Sequence, residues 1–123
     1  MEGAAQKTAV LVVEDETLVR RYMRDVLEDV GFHVHEAVDA DGALKKLQGE
    51  DFDAVVSDIE MPGEKSGLDL AWIVDRTWPR IGLVLISGRH LPSPAGMPAK
   101  ARFIAKPWDV DTFLQTVREV ISV

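Results

Sequence analysis

The chain has 123 residues, 46% hydrophobic and 28% charged, with a formal net charge of −7 and no cysteine. That length suits one domain around one core. The acidic balance argues against nucleic-acid binding, which needs a basic face against phosphates, and the lack of thiols excludes a disulfide frame or a thiolate metal site.

Residues 1–7 are small and polar and are expected to fray as a flexible N-terminus, leaving residues 8–123 as the domain. Residues 8–13 form an apolar, β-branched run, which predicts a buried strand ending on two acids, Glu14 and Asp15. The run is too short for a secretory signal or a membrane span, so the expected location is the cytoplasm and no membrane partner is expected. Leu18, Val19, Tyr22, Met23, Val26, Leu27 and Val30 recur at helical spacing, and Gly31 stands where a helix should stop. Residues 32–36 alternate weakly and read as a short edge strand. His33 and His35 share one of its faces. They could form a metal pair, but a solvated edge-strand face is the preferred reading, since no third ligand is evident.

Asp39 can cap a helix that ends at Gly49. Residues 54–58 predict a second buried strand, ending on Asp58, and Pro62-Gly63 then forces a turn. Ser66 can cap a helix over residues 67–77, which Trp78-Pro79 ends. Residues 81–86 are a strongly apolar strand leading to Ser87-Gly88. The pattern then breaks: Pro92, Pro94 and Pro98 exclude a full-length helix between residues 89 and 100. Residues 102–105 are a last short strand before Lys106-Pro107, and Asp109 caps a final amphipathic helix. Trp72, Trp78 and Trp108 read as packing or partly exposed residues, with Trp78 a possible partner contact.

Strand and helix alternate five times with one helix damaged, which predicts an α/β doubly wound, five-stranded parallel sheet covered on both faces. Ligands in such sheets bind at the carboxyl ends of the strands. The polar residues predicted there are Glu14, Asp15, Asp58, Ser87 and Lys106, from four strands. Converging carboxylates repel, and a divalent ion relieves the conflict; all-oxygen donors favour Mg²⁺, with Mn²⁺ possible. A lysine and a hydroxyl beside it complete a cradle for phosphoryl oxygens. One carboxylate, Asp58 at mid-sheet, could then act as nucleophile and form an aspartyl phosphate.

Four motifs, Val13-Glu14-Asp15-Glu16, Asp58-Ile59-Glu60-Met61-Pro62-Gly63, Ser87-Gly88 and Lys106-Pro107, stand in the order and context of another family. On them, from Ala9 to Val120, the chain resembles the receiver domain of two-component response regulators. The resemblance implies a flavodoxin-like sheet of strand order 2-1-3-4-5. It implies that Asp58 takes a phosphoryl group from a phosphohistidine on a histidine kinase or a histidine phosphotransfer protein. Asp15, Asp58 and the Glu60 backbone carbonyl would bind Mg²⁺, with Glu14 acting through a water. Ser87 and Lys106 would bind the phosphoryl group. Ser87 and Phe103 would be the switch residues, moving to control a downstream partner. Glu60 and Arg89 fall where the family tunes dephosphorylation, and Lys106-Pro107 where it has a cis peptide.

Two features depart from the family pattern. The fourth helix is shortened or replaced by a proline-rich loop at residues 89–100, which argues against the family's usual dimer and reads as a loop that orders on phosphorylation or partner binding. No output domain follows Val123, so the expectation is a single-domain regulator or a receiver of the hybrid-kinase type. No enzyme activity is expected beyond self-phosphorylation and slow self-dephosphorylation. Two alternatives remain. Asp58-Ile59-Glu60 faintly resembles the nucleophile pair of haloacid-dehalogenase-like phosphatases, though these need a larger chain and carry the motif on the first strand. A non-phosphorylated binding module of the same fold is the other, and the complete acid, hydroxyl and lysine set argues against it. No glycine-rich nucleotide loop follows any strand.

Overall fold

A computed structural model describes residues 8–89 and 96–121. The expected fraying of residues 1–7 and the middle half of the expected loop at 89–100, residues 90–95, therefore lie outside the described residues. The elements run β1 (Ala9–Val13), α1 (Thr17–Asp29), β2 (His33–Ala37), α2 (Ala40–Gly49), β3 (Ala54–Asp58), α3 (Gly67–Thr77), β4 (Gly82–Ser87), β5 (Arg102–Ala105) and α4 (Val110–Val120). All strand pairs are parallel, in the order β2-β1-β3-β4-β5. Sheet and order are as expected. Between β4 and β5, the described residues form no α-helix.

Strand alternation builds two cores. Leu11, Val13, Val55, Leu83 and Leu85 face α2 and α3, meeting Ala43, Leu47, Leu70 and Val74. Val10, Val12, Val56, Val84 and Ile86 face α1 and α4, meeting Met23, Leu27, Phe113 and Val117. Side chains of period two send every other residue to each helix layer, so β1, β3 and β4 need apolar residues on both faces until their carboxyl ends. Edge strand β2 is covered on one side by β1 alone and tolerates His33, His35 and Glu36.

The helix ends follow local chemistry. Asp39 accepts from the Gly42 N–H at 2.8 Å and Asp109 from the Thr112 N–H at 2.7 Å. Ser66 and Asp69 form a reciprocal capping box. Past α1, Gly31 takes φ +101°, a conformation that favours glycine, and returns the chain to β2. The apolar stripe of α1 proves wider than its buried face. Met23 and Leu27 are buried, whereas Leu18 (83% exposed), Tyr22 and Val30 face outward. A helix laid over a sheet buries only the narrow arc that faces it, and these three residues flank that arc. Trp78 packs against the α2–α3 core, and Trp108 stacks between Phe113 and Tyr22 at centroid distances of 4.4 and 5.6 Å. Trp72 is partly exposed and donates to the Gly96 carbonyl at 3.1 Å.

Candidate functional site

The carboxyl ends of β1, β3, β4 and β5 lie side by side, and each brings the polar residue expected there. After β1, the Glu14 N–H bonds the Ala37 carbonyl at 3.0 Å, which continues the sheet one residue past the strand. Residue parity then places Glu14 on the face of Val10 and Val12, where it is 1% exposed, while Asp15 points to solvent. One Glu14 oxygen, Oε2, accepts from the Glu16 N–H at 2.9 Å. From β3 comes Asp58, 4% exposed. Carboxylate oxygens of Glu14, Asp15 and Asp58 all lie within 4.8 Å of one another.

Lys106 reaches over from the end of β5. Its Nζ stands 3.0 Å from Asp58 Oδ1 and 3.8 Å from Glu14 Oε1. Both of these oxygens are buried without a hydrogen-bond partner. At 3.0 Å, the Lys106–Asp58 contact is a close charge pair. The lysine is anchored by its own backbone, which donates to the Ser87 carbonyl at 2.9 Å, and the Lys106–Pro107 peptide is cis, as expected.

Electrostatics in this cluster are unbalanced, with three carboxylates facing one ammonium. Burial pushes the Glu14 carboxyl up to about 7, with Asp58 and Asp15 adding to the rise against the pull of the Glu16 N–H and Lys106. Burial likewise raises Asp58. Lys106 opposes that rise, and Glu60 and Asp15 reinforce it. For Lys106 burial acts downward, yet Asp58, Glu14 and Glu16 together hold its pKa above the ordinary lysine value. Two orphaned buried oxygens in an all-oxygen donor set fit a hard divalent cation. The same oxygens do not suit a soft metal.

The hydroxyl side differs from expectation. Ser87, buried at the end of β4, donates to Glu60, with both carboxylate oxygens 2.9 Å from its Oγ. The Arg89 N–H donates to the same Oγ at 3.1 Å, while the residue itself is exposed. Phe103 lies in register with Leu85 and is half-buried against the α2–α3 core.

Arg20, Arg24 and Gly67 support the site and escaped the sequence reading. Arg20 on α1 donates from Nη1 to the Glu14 carbonyl at 3.0 Å and from Nε to Glu36 Oε1 at 2.8 Å. Glu36 also pairs with Arg24 at 2.9 Å. Burial alone would raise the Glu36 pKa, but the two guanidinium groups outweigh it and lower it. This bracket fixes the turn that carries the acid pair; an arginine six residues past an acid on a predicted helix was the available signal. Gly67 is the third residue. A Cβ there would fall 2.1 Å from the Asp58 carbonyl oxygen, so only glycine lets α3 start against the end of β3.

Comparison with known proteins places this geometry in a family. The family model described as the response regulator receiver domain matches residues 10–118. The chain is 36% identical over 122 residues to the sensor kinase CckA of Brucella abortus, covering 92% of this chain but only 12% of that protein. It is 27% identical over 115 residues to the response regulator receiver protein CpdR of the same organism, covering 91% of this chain and 95% of that one. Among solved structures, a response regulator receiver protein from Sinorhizobium medicae superposes with a TM-score of 0.89 at 23% identity, over 94% of this chain and 95% of that one. The match runs through all four strand ends that carry the polar cluster, and on it the chain belongs to the response regulator receiver domain family.

Proposed function

We propose that the chain is the phosphoacceptor of a two-component phosphorelay, with Asp58 taking a phosphoryl group from a phosphohistidine. The observation that carries this reading is the buried Asp58 carboxylate, 3.0 Å from the Lys106 ammonium, with Oδ1 left without a hydrogen bond beside two further acids. Asp15, Asp58 and the Glu60 backbone carbonyl would hold Mg²⁺, or Mn²⁺ in its place, with Glu14 acting through a water. When bound, that ion would neutralise the carboxylates and the phosphoryl oxygens. Asp58 attacks the phosphorus, its new O–P bond forms, and the P–N bond breaks with its electron pair returning to the imidazole nitrogen. Lys106 is already placed to pair with a phosphoryl oxygen as charge moves onto Asp58.

Ser87 would complete the cradle, and to do so its hydroxyl must leave Glu60. Phosphorylation then favours the arrangement in which Ser87 faces Asp58, and Phe103, in the neighbouring strand, is the residue expected to move with it. Release from Ser87 would free the Glu60 carboxylate, and Glu60 and Arg89 would then act on an attacking water and set the lifetime of the phosphorylated state. The donor would be a histidine kinase or histidine phosphotransfer protein in the cytoplasm. The chain would catalyse only its own phosphorylation and slow dephosphorylation. Among the described residues no helix is long and apolar enough to cross a membrane.

Incubation with a small acyl phosphate donor and Mg²⁺ tests the reading by intact mass. The parent chain should gain one phosphoryl group and Asp58→Asn none. Equal labelling of both, or sustained turnover of a phosphate ester, would refute it, the latter in favour of a phosphatase.

A further inference from the structure

The edge strand carries a second cluster of ligating atoms, chemically unlike the first. His33 and His35 project from the same face of β2, and their Nε2 atoms stand 3.0 Å apart. His35 Nε2 also lies 3.4 Å from Glu50 Oε1, at the residue that ends α2. A single ring nitrogen therefore forms the shared corner of two short contacts. Two donors held 2.0–2.1 Å from a tetrahedral ion lie about 3.3–3.4 Å from each other, so both observed separations match edges of such a site to within about 0.4 Å. The remaining edge, from His33 to Glu50, is longer than 4.8 Å, and the Glu50 side chain, 44% exposed, must swing inward to close it.

The scaffold under the histidines is rigid. β2 pairs with β1 along its whole length, from Ala9↔His33 to Val13↔Ala37. The His35 ring stands edge-on to the buried Phe52, with a centroid distance of 5.3 Å and planes at 86°. Two imidazoles and a carboxylate suit a borderline divalent ion such as Zn²⁺, and do not suit Mg²⁺. Without a metal, one imidazole must donate a proton to the other; a cation would accept from both at once.

We propose that His33, His35 and Glu50 form a Zn²⁺-class site that ties the edge strand to the end of α2, separate from the acidic cluster at the strands' carboxyl ends. On this proposal the histidine pair is more than a solvated face, because a third ligand comes from a different element. Calorimetric titration of the whole chain with Zn²⁺, with Mg²⁺ in large excess to occupy the carboxylate cluster, tests it. One equivalent should bind, with the His33 and His35 ring resonances shifting together. His33→Ala and His35→Gln should each weaken binding by at least about tenfold, and Glu50→Gln by less, because the imidazoles are the stronger ligands. Circular dichroism checks that each variant is folded; the longer Gln side chain keeps contact with Phe52. Absence of stoichiometric Zn²⁺ binding, or binding that survives in the folded His33→Ala/His35→Gln double variant, would overturn the proposal.

Discussion

The two halves of the acidic site stand in different states of readiness. On one side Glu14, Asp15, Asp58 and Lys106 are already gathered, braced by Arg20 behind the acid turn and by Gly67 behind Asp58. On the other side Ser87 is buried and positioned, yet its hydroxyl is given to Glu60. On the proposed function, the difference separates chemistry from signalling. Groups that would bind charge are fixed in advance, which would lower the cost of reaching the transition state. The group that would report the result has to exchange one partner for another, which would give the fold two arrangements to choose between.

The largest expected effect falls on the fixed half. Gly67→Ala places a methyl group against the Asp58 carbonyl and should cost about 3 kcal/mol or more of stability, read by denaturant unfolding. A change within about 0.5 kcal/mol would mean that α3 is not seated on β3 as described.

Next is pH. The Glu14 carboxyl sits at about 7 in the folded chain against an ordinary 4.5, so the folded state holds the proton more tightly. Its contribution to stability is complete below about 4.5, and is lost as pH rises through about 7. In metal-free protein the loss is up to about 3 kcal/mol. Glu14→Gln should remove that slope, so that the variant gains on the parent between pH 5 and pH 8. Parallel stability curves for the two proteins would show that Glu14 is not buried in charged competition with Asp58. Mg²⁺ affinity of the parent should fall as pH drops below about 7, because Glu14 takes up a proton.

Lys106→Met removes a positive charge from the place a cation would occupy. Mg²⁺ should bind about tenfold more tightly, since two like charges a few ångströms apart cost at least that much even at high effective dielectric. Unchanged affinity would separate the lysine from the cation site.

The smallest effect belongs to the half that must move. Glu60→Ala deprives the Ser87 hydroxyl of its resting partner. A hydrogen bond to a charged group is worth about 1.5–3 kcal/mol, and part of it is recovered from water, so the phosphorylated arrangement should gain several-fold in population. The half-life of the phosphorylated chain should lengthen correspondingly. An unchanged half-life would leave Glu60 with no hold on Ser87.

Much of this was legible in the sequence, for identifiable reasons. Strands β1, β3 and β4 are apolar up to their carboxyl ends because both faces are covered, and the three side-chain caps are local features of three or four residues. The acids, hydroxyl and lysine stand at strand ends, so finding the strands found them. The Ser87–Glu60 bond was not legible: it joins the end of β4 to a loop residue 27 positions away, and side-chain torsions decide it. Nor was the Arg20–Glu36 bracket, which depends on how α1 crosses β2. The outward turn of Leu18, Tyr22 and Val30 was missed because an apolar stripe fixes a helix's direction of burial better than its width. Glu50 escaped notice beside the histidines because it closes onto β2 only once α2 is packed.

The claim on which the rest depends is that the phosphoryl group ends on Asp58. Reducing the phosphorylated chain with borohydride converts an aspartyl phosphate to homoserine, and peptide mass mapping then shows where. Homoserine at position 58 alone, dependent on Mg²⁺ in the labelling step, is the predicted result. Homoserine at Asp15 or another acid, with Asp58 recovered intact, would contradict it.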